Sequence, residues 1–130
     1  MILGYTRCST VEQAAAGTTT MQEQERVIRG VAMTKGAGSF DVQIFSDPGV
    51  SGATPLEQRP AGRELLAAMS RGDTVCASKL DRMFRSAIDA LATAEKMQKE
   101  GIDLILFDLG VDAVTTNGMA KCFFTMASAF

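Results

Sequence analysis

The sequence predicts an α/β domain on a mainly parallel sheet of four to five strands, with helices on both faces. Three observations predict it. Short apolar segments alternate with longer segments of helical period. The helical segments open at capping residues and close at glycine. Residues 102–107 are almost wholly apolar, as in a strand buried on both sides. A βαβαβαβ order of this kind implies parallel pairing.

The elements follow in order. Residues 2–8 read as a first strand. Thr20 with Glu23 has the spacing of a capping box, and opens a helix running to about Lys35. Met21, Ile28, Val31 and Ala32 share one side of it, and Gly36 and Gly38 end it. Residues 42–45 form a second strand. A turn-rich loop follows, Ser46-Asp47-Pro48-Gly49-Val50-Ser51-Gly52, continuing to Pro55. Its length is that of a functional or mobile connection, and mobility is expected from Asp47 to Gln58. Pro60 suits the first turn of a helix that carries Leu65, Leu66 and Met69 and stops at Gly72. Residues 74–77 are a third strand. Ser86 and Asp89 make another N-cap pair, opening a helix with Ile88, Leu91, Ala92 and Met97 that closes at Gly101.

From about Asn117 the pattern changes. Met119, Cys122, Phe123, Met126, Ala127 and Phe130 form an apolar stripe at helical spacing. Either the stripe packs on its own sheet or it binds a partner subunit. The stripe stops in mid-pattern at Phe130, so the natural protein is expected to continue.

Composition narrows the chemistry. The 130 residues suit one domain. No apolar run approaches the ~18 residues of a membrane span, and no secretory leader is evident, so a cytoplasmic protein is expected. Cys8, Cys76 and Cys122 are too far apart for a zinc motif or a disulfide framework, and read as reduced thiols. Histidine is absent, which excludes a Ser-His-Asp triad and a Cys-His pair. The net charge of −2 argues against tight DNA binding by these residues alone. Yet all eight arginines lie at or before Arg85.

Four stretches fall at strand C-terminal ends or in the loops after them, the edge where parallel sheets bind ligands. They are Tyr5-Thr6-Arg7-Cys8-Ser9-Thr10 with Gln13; Asp47-Pro48-Gly49-Val50-Ser51-Gly52; Arg59-Pro60; and Leu80-Asp81-Arg82-Met83-Phe84-Arg85. Together they offer one hydroxyl, Ser9, among Arg7, Arg59, Arg82 and Arg85. Guanidinium groups grip phosphate through paired hydrogen bonds and stay charged. That combination suits phosphoryl transfer, because positioning and charge neutralisation are most of the catalytic task. Cys8 neighbours Ser9, but alternation along a strand turns it toward the core.

These residues resemble the catalytic domain of serine site-specific recombinases, the resolvase/invertase family. The family pattern is Tyr-x-Arg-x-Ser-Thr-x-x-Gln, a Gly-x-Ser-Gly-type loop, an Arg-Pro pair, a Gly-Asp and a Leu-Asp-Arg-x-x-Arg. The chain matches all of them in order, the Gly-Asp as Gly72-Asp73. Cys8 and Phe84 depart from it without removing a catalytic group.

The resemblance implies that Ser9 is the nucleophile and forms a 5′-phosphoserine link to DNA. It implies that Arg7, Arg82 and Arg85 bind the scissile phosphate, with Arg59 from the loop side. Asp81 would orient an arginine or handle the proton of the leaving 3′-oxygen. Tyr5, Gln13, Gln24 and Ser51 would be substrate-side supports. No cofactor or metal is implied. Residues 1–116 would be the catalytic domain and 117–130 the start of a dimerisation helix, with the DNA-binding domain outside this chain. The working assembly would be a homodimer pairing to a tetramer on DNA. The alternative is a non-catalytic α/β module that binds an anion or nucleotide and acts mainly in assembly. No G-x-x-x-x-G-K-[ST] or G-x-G-x-x-G supports a nucleotide.

Overall fold

A computed structural model describes residues 1–11, 19–38 and 41–110. Gln13, Cys122 and the apolar stripe of residues 117–130 lie outside them. The described elements are β1 (Ile2–Cys8), α1 (Thr19–Thr34), β2 (Val42–Pro48), a 3₁₀ turn (Leu56–Gln58), α2 (Pro60–Ala68), β3 (Thr74–Ala77), a four-residue α3 (Leu80–Met83), α4 (Ala87–Lys99), β4 (Asp103–Leu106) and a second 3₁₀ turn (Phe107–Leu109). The four strands form one parallel sheet in the order β2-β1-β3-β4.

That order decides which helix covers which face. The chain moves one way from β1 to β2, then reverses, passing over β1 to β3 and on to β4. Crossovers of constant hand therefore put α1 on one face and the later helices on the other. The core divides accordingly. On one face Ile28 of α1 packs with Cys76 and Ile105. On the other, Leu65, Ala90, Ala94 and Met97 pack with Leu3, Tyr5, Val75 and Leu104, among others. Full burial of Leu65 alone is worth roughly 2 kcal/mol. β1, covered on both faces, is buried from Leu3 to Cys8. Gly4 is the point of closest approach to α1, since a Cβ there would lie 2.7 Å from Ile28 Cγ2.

The local rules hold with some corrections. Ser86 caps α4 as expected, its Oγ accepting from Asp89 N at 3.1 Å. Pro60 opens α2. Thr20 is not an N-cap: the helix already includes Thr19. At its other end Gly36, at φ +83°, lets Ala37 N reach the carbonyl of Ala32 at 3.1 Å. α2 ends at Ala68, four residues short of Gly72, because Met69 turns extended.

The buried stripe of α4 is Ala90, Ala94 and Met97, with Ile88 and Ala92 exposed. Small residues let this helix lie close on the sheet, an effect that apolar periodicity alone does not register. Residues 42–45 are only part of β2, which runs on to Pro48 because Arg7 and Cys8 of β1 still pair with Asp47 and Pro48. β4 is shorter than residues 102–107, and Phe107 belongs to the following turn.

Candidate active site

In this strand order the connections leave β1 and β3 in opposite directions, so a crevice opens between their C-terminal ends. Ser9 follows β1 there and is partly exposed; Lys79 and α3 follow β3. Tyr5, Arg7, Gln24, Asp47, Arg59 and Arg82 come together in a network built largely on backbone carbonyls.

Alternation along β1 puts Leu3, Tyr5 and Arg7 on the α2/α4 face and Gly4, Thr6 and Cys8 on the α1 face. The Arg7 side chain, 6% exposed, therefore points under α3. Its Nε donates to the Arg82 carbonyl at 3.1 Å, Nη2 to the Asp81 carbonyl at 3.1 Å, and Nη1 to the Val50 carbonyl at 2.8 Å. The backbone of Arg7 is paired on β2's side, while the β3 ladder ends at Tyr5–Ala77. Gln24, reaching down from α1, continues the pairing with its amide. Its Oε1 accepts from Arg7 N at 3.1 Å and its Nε2 donates to Arg7 O at 2.8 Å. Arg82 Nη1 donates to the same Arg7 carbonyl at 3.3 Å, which brings that guanidinium to the backbone two residues before Ser9.

Arg59 is completely buried. Its Nε donates to the Thr54 carbonyl at 2.9 Å, Nη2 to Gly52 O at 3.2 Å, and Nη1 to Arg82 O at 2.8 Å and to the Tyr5 hydroxyl at 3.2 Å. The guanidinium also lies 5.7 Å from the Tyr5 ring centroid. Tyr5, buried likewise, donates its own hydroxyl to Asp47 Oδ2 at 2.7 Å. Burial is the main force pushing the Tyr5 hydroxyl far above its ordinary pKa; the bond from Arg59 opposes this and Asp47 reinforces it. Tyr5 is therefore a fixed donor.

Asp47 was legible only as a turn residue. On the extended β2 it shares Phe45's face and is buried. Its carboxylate accepts from Ala61 N at 2.8 Å and Gly62 N at 3.0 Å, so it caps α2. The missed signal was periodic: Asp47 stands two residues after Phe45.

The loop expected to be mobile is tied to the sheet edge. Val50 N donates to Cys8 O at 3.0 Å, and Thr10 Oγ1 donates to Gly49 O at 3.2 Å. Ser51 Oγ accepts from Ala53 N at 3.1 Å, a bond internal to the loop. A Cβ on Gly52 would lie 3.0 Å from Arg7 Nη2 and would press on that guanidinium. Asp81 and Arg85 are exposed; the backbone of Arg85 donates to Asp89 Oδ2 at 3.4 Å. Cys8 is buried beside Ser9. Among the described residues, no three carboxylates or thiols are grouped so as to hold a metal ion. No helix among them is long and apolar enough to cross a membrane.

Comparison with known proteins shows the family and the fold. The family described as Resolvase, N terminal domain matches residues 2–130. The Transposon Tn2501 resolvase of Escherichia coli is 31% identical over 118 residues, covering 90% of this chain and 55% of that protein. The DNA-invertase of Enterobacteria phage P7 is 30% identical over 129 residues, covering 99% and 59%. The chain thus spans a little over half the length of these relatives. Among solved structures, the N-terminal catalytic domain of TP901-1 integrase superposes with a TM-score of 0.73 at 31% identity, covering 98% of this chain and 91% of that one.

Proposed function

Since the chain belongs to the resolvase N-terminal domain family, the serine recombinases, we propose that it cleaves and rejoins DNA strands in site-specific recombination, with Ser9 as nucleophile. The observation that carries the reading is the position of Ser9. It follows the central strand at the crevice, two residues from the carbonyl on which the Arg82 guanidinium rests.

In the proposed reaction Ser9 Oγ attacks the scissile phosphorus. The Oγ–P bond forms as the P–O3′ bond breaks, leaving a 5′-phosphoserine and a free 3′-hydroxyl. The serine proton passes to a base and the departing 3′-oxygen takes one up. Attack by a 3′-hydroxyl of the exchanged strand reverses these changes.

The geometry favours a division of labour among the arginines. Arg82 and Arg85 lie toward the solvent side and would meet the phosphate directly. Arg7 and Arg59, engaged with carbonyl oxygens, would hold Arg82 and the loop in register while keeping positive charge beneath the phosphate. Asp81, exposed on α3, would orient an arginine or handle the 3′-oxygen's proton. Gln24 would support β1 beneath Ser9, and Tyr5 would act from the core rather than on DNA. Gln13 and Ser51 remain proposed substrate supports. We assign residues 1–116 to catalysis and 117–130 to the start of a dimerisation helix, with a DNA-binding region elsewhere in the whole protein and a dimer pairing to a tetramer on DNA.

The test uses the full-length protein and DNA from the ends of its own mobile element. The reaction is trapped, the DNA digested, and the protein searched by mass spectrometry for a nucleotide adduct. An adduct on Ser9, absent from Ser9→Ala, is the expected result. A folded protein that binds DNA without forming it would return the domain to the non-catalytic reading.

A further inference from the structure

We infer that Asp108, at the end of β4, is a positioning residue for this reaction, holding the turn that carries Asp81 and Arg82. The inference rests on the recombinase reading for its consequence, though not for its geometry.

α3 has four residues, too few to hold itself by its own hydrogen bonds. Lys79, at its N-cap, supplies no side-chain bond. The first N–H of the turn, that of Leu80, instead donates to both oxygens of Asp108, at 3.2 Å each. At the opposite end, the carbonyls of Asp81 and Arg82 accept from Arg7, and that of Arg82 also from Arg59. A carboxylate thus faces the turn's N–H end and two guanidinium groups face its C=O end. This is the sense in which peptide dipoles are stabilised at both termini.

The anchors are remote in sequence, Asp108 lying 28 residues from Leu80 and Arg7 74 residues from Asp81. The turn is therefore a spacer, set between an anion that follows β4 and cations from β1 and from the start of α2. Asp108 is itself placed by the 3₁₀ turn Phe107–Leu109. Gly110 N closes that turn on the Phe107 carbonyl at 3.3 Å, with the glycine at φ +126°. Leu109 packs against the core. Asp108 bonds to the Leu80 N–H, so its effect is on where Asp81 and Arg82 stand. Misplacement of such groups slows the chemical step more than it weakens binding to the rest of a long DNA substrate.

The test measures single-turnover formation of the Ser9 adduct by the full-length protein, together with the DNA concentration giving half-maximal rate. Asp108→Ala should lower the saturated rate by about ten-fold or more while half-saturation moves by less than about two-fold. Asp108→Asn keeps one acceptor oxygen of the same shape and should recover part of the rate. Hydrogen exchange in the same protein reads the hold without DNA, and protection of the Leu80 amide should be lost in Asp108→Ala and kept in Asp108→Asn.

A wild-type rate in Asp108→Ala overturns the inference. So does a joint fall of rate, affinity and melting temperature that Asp108→Asn does not relieve. If the wild type forms no adduct, the recombinase reading fails. The inference then stands or falls as a structural statement on Leu80 exchange.

Discussion

The guanidinium groups of Arg7 and Arg59, both buried, donate to one backbone oxygen, the carbonyl of Arg82, at 3.1 and 2.8 Å. Residues from β1 and from the start of α2 are thereby joined at the turn after β3. Four of the five N–H groups of Arg59 are used, three of them on carbonyls of the loop and of α3. Arg59→Met would leave the partly buried Thr54 and Gly52 carbonyls without this partner, at about 1 kcal/mol or more for each. We expect a loss of roughly 2–4 kcal/mol in unfolding free energy, read from the urea midpoint. Arg59→Lys should recover little of it, because one ammonium cannot span carbonyls fixed by a planar fork. Wild-type stability in either variant would show that the carbonyl frame is incidental.

Two glycines near the site should respond differently to alanine. A Cβ on Gly62 would collide with the Leu56 carbonyl oxygen, a backbone atom that cannot step aside. Overpacking should cost roughly 1–3 kcal/mol, outweighing the ~1 kcal/mol gain in helix propensity. A Cβ on Gly52 would meet only the end of the Arg7 side chain, at 3.0 Å. Gly52→Ala should change stability by less than about 1 kcal/mol. Its expected effect is instead on the rate of Ser9 adduct formation. Thermal unfolding and single-turnover kinetics on the two variants separate these expectations.

Asp73 should make stability depend on acid. Burial alone would raise its pKa. The N–H and hydroxyl of Ser70, at 2.9 and 3.1 Å, and the terminal ammonium at 3.3 Å together bring it below 3.8. A folded-state pKa below the unfolded value means the contribution is complete above about 3.8 and disappears as pH falls through the lower, folded value. Urea unfolding should therefore show Asp73→Asn weaker than wild type at neutral pH, with the difference closing in acid. A difference that does not change with pH would contradict the ionic origin.

Cys76 sits under α1, and burial pushes its thiol up to about 12. At pH 8 the native protein should leave Cys76 unmodified by iodoacetamide, with alkylation following unfolding, as mass spectrometry can track. Above about pH 9 the unfolded thiol ionises while the folded one does not, so this residue's contribution to stability declines between about 9 and 12. Rapid native alkylation at pH 8 would show that the α1 face opens readily.

Local chemistry determined much of this protein from sequence alone. Alternating apolar segments, the cap at Ser86, Pro60 at the start of α2 and the glycine stop at Gly36 are short-range devices. The order and class of the elements could be read from them. The motif residues could be placed at strand ends for the same reason. What the sequence could not set was the strand order β2-β1-β3-β4, because parallel pairing is decided between segments far apart in the chain. That order creates the reversal between β1 and β3, and with it the crevice beside Ser9. It also extends β2 through Asp47, turning a residue read as part of a loop into the buried cap of α2. The roles of Arg7, Arg59 and Asp108 likewise depend on backbone carbonyls and N–H groups. Every residue carries these groups, so only the folded chain shows which of them face a charged side chain.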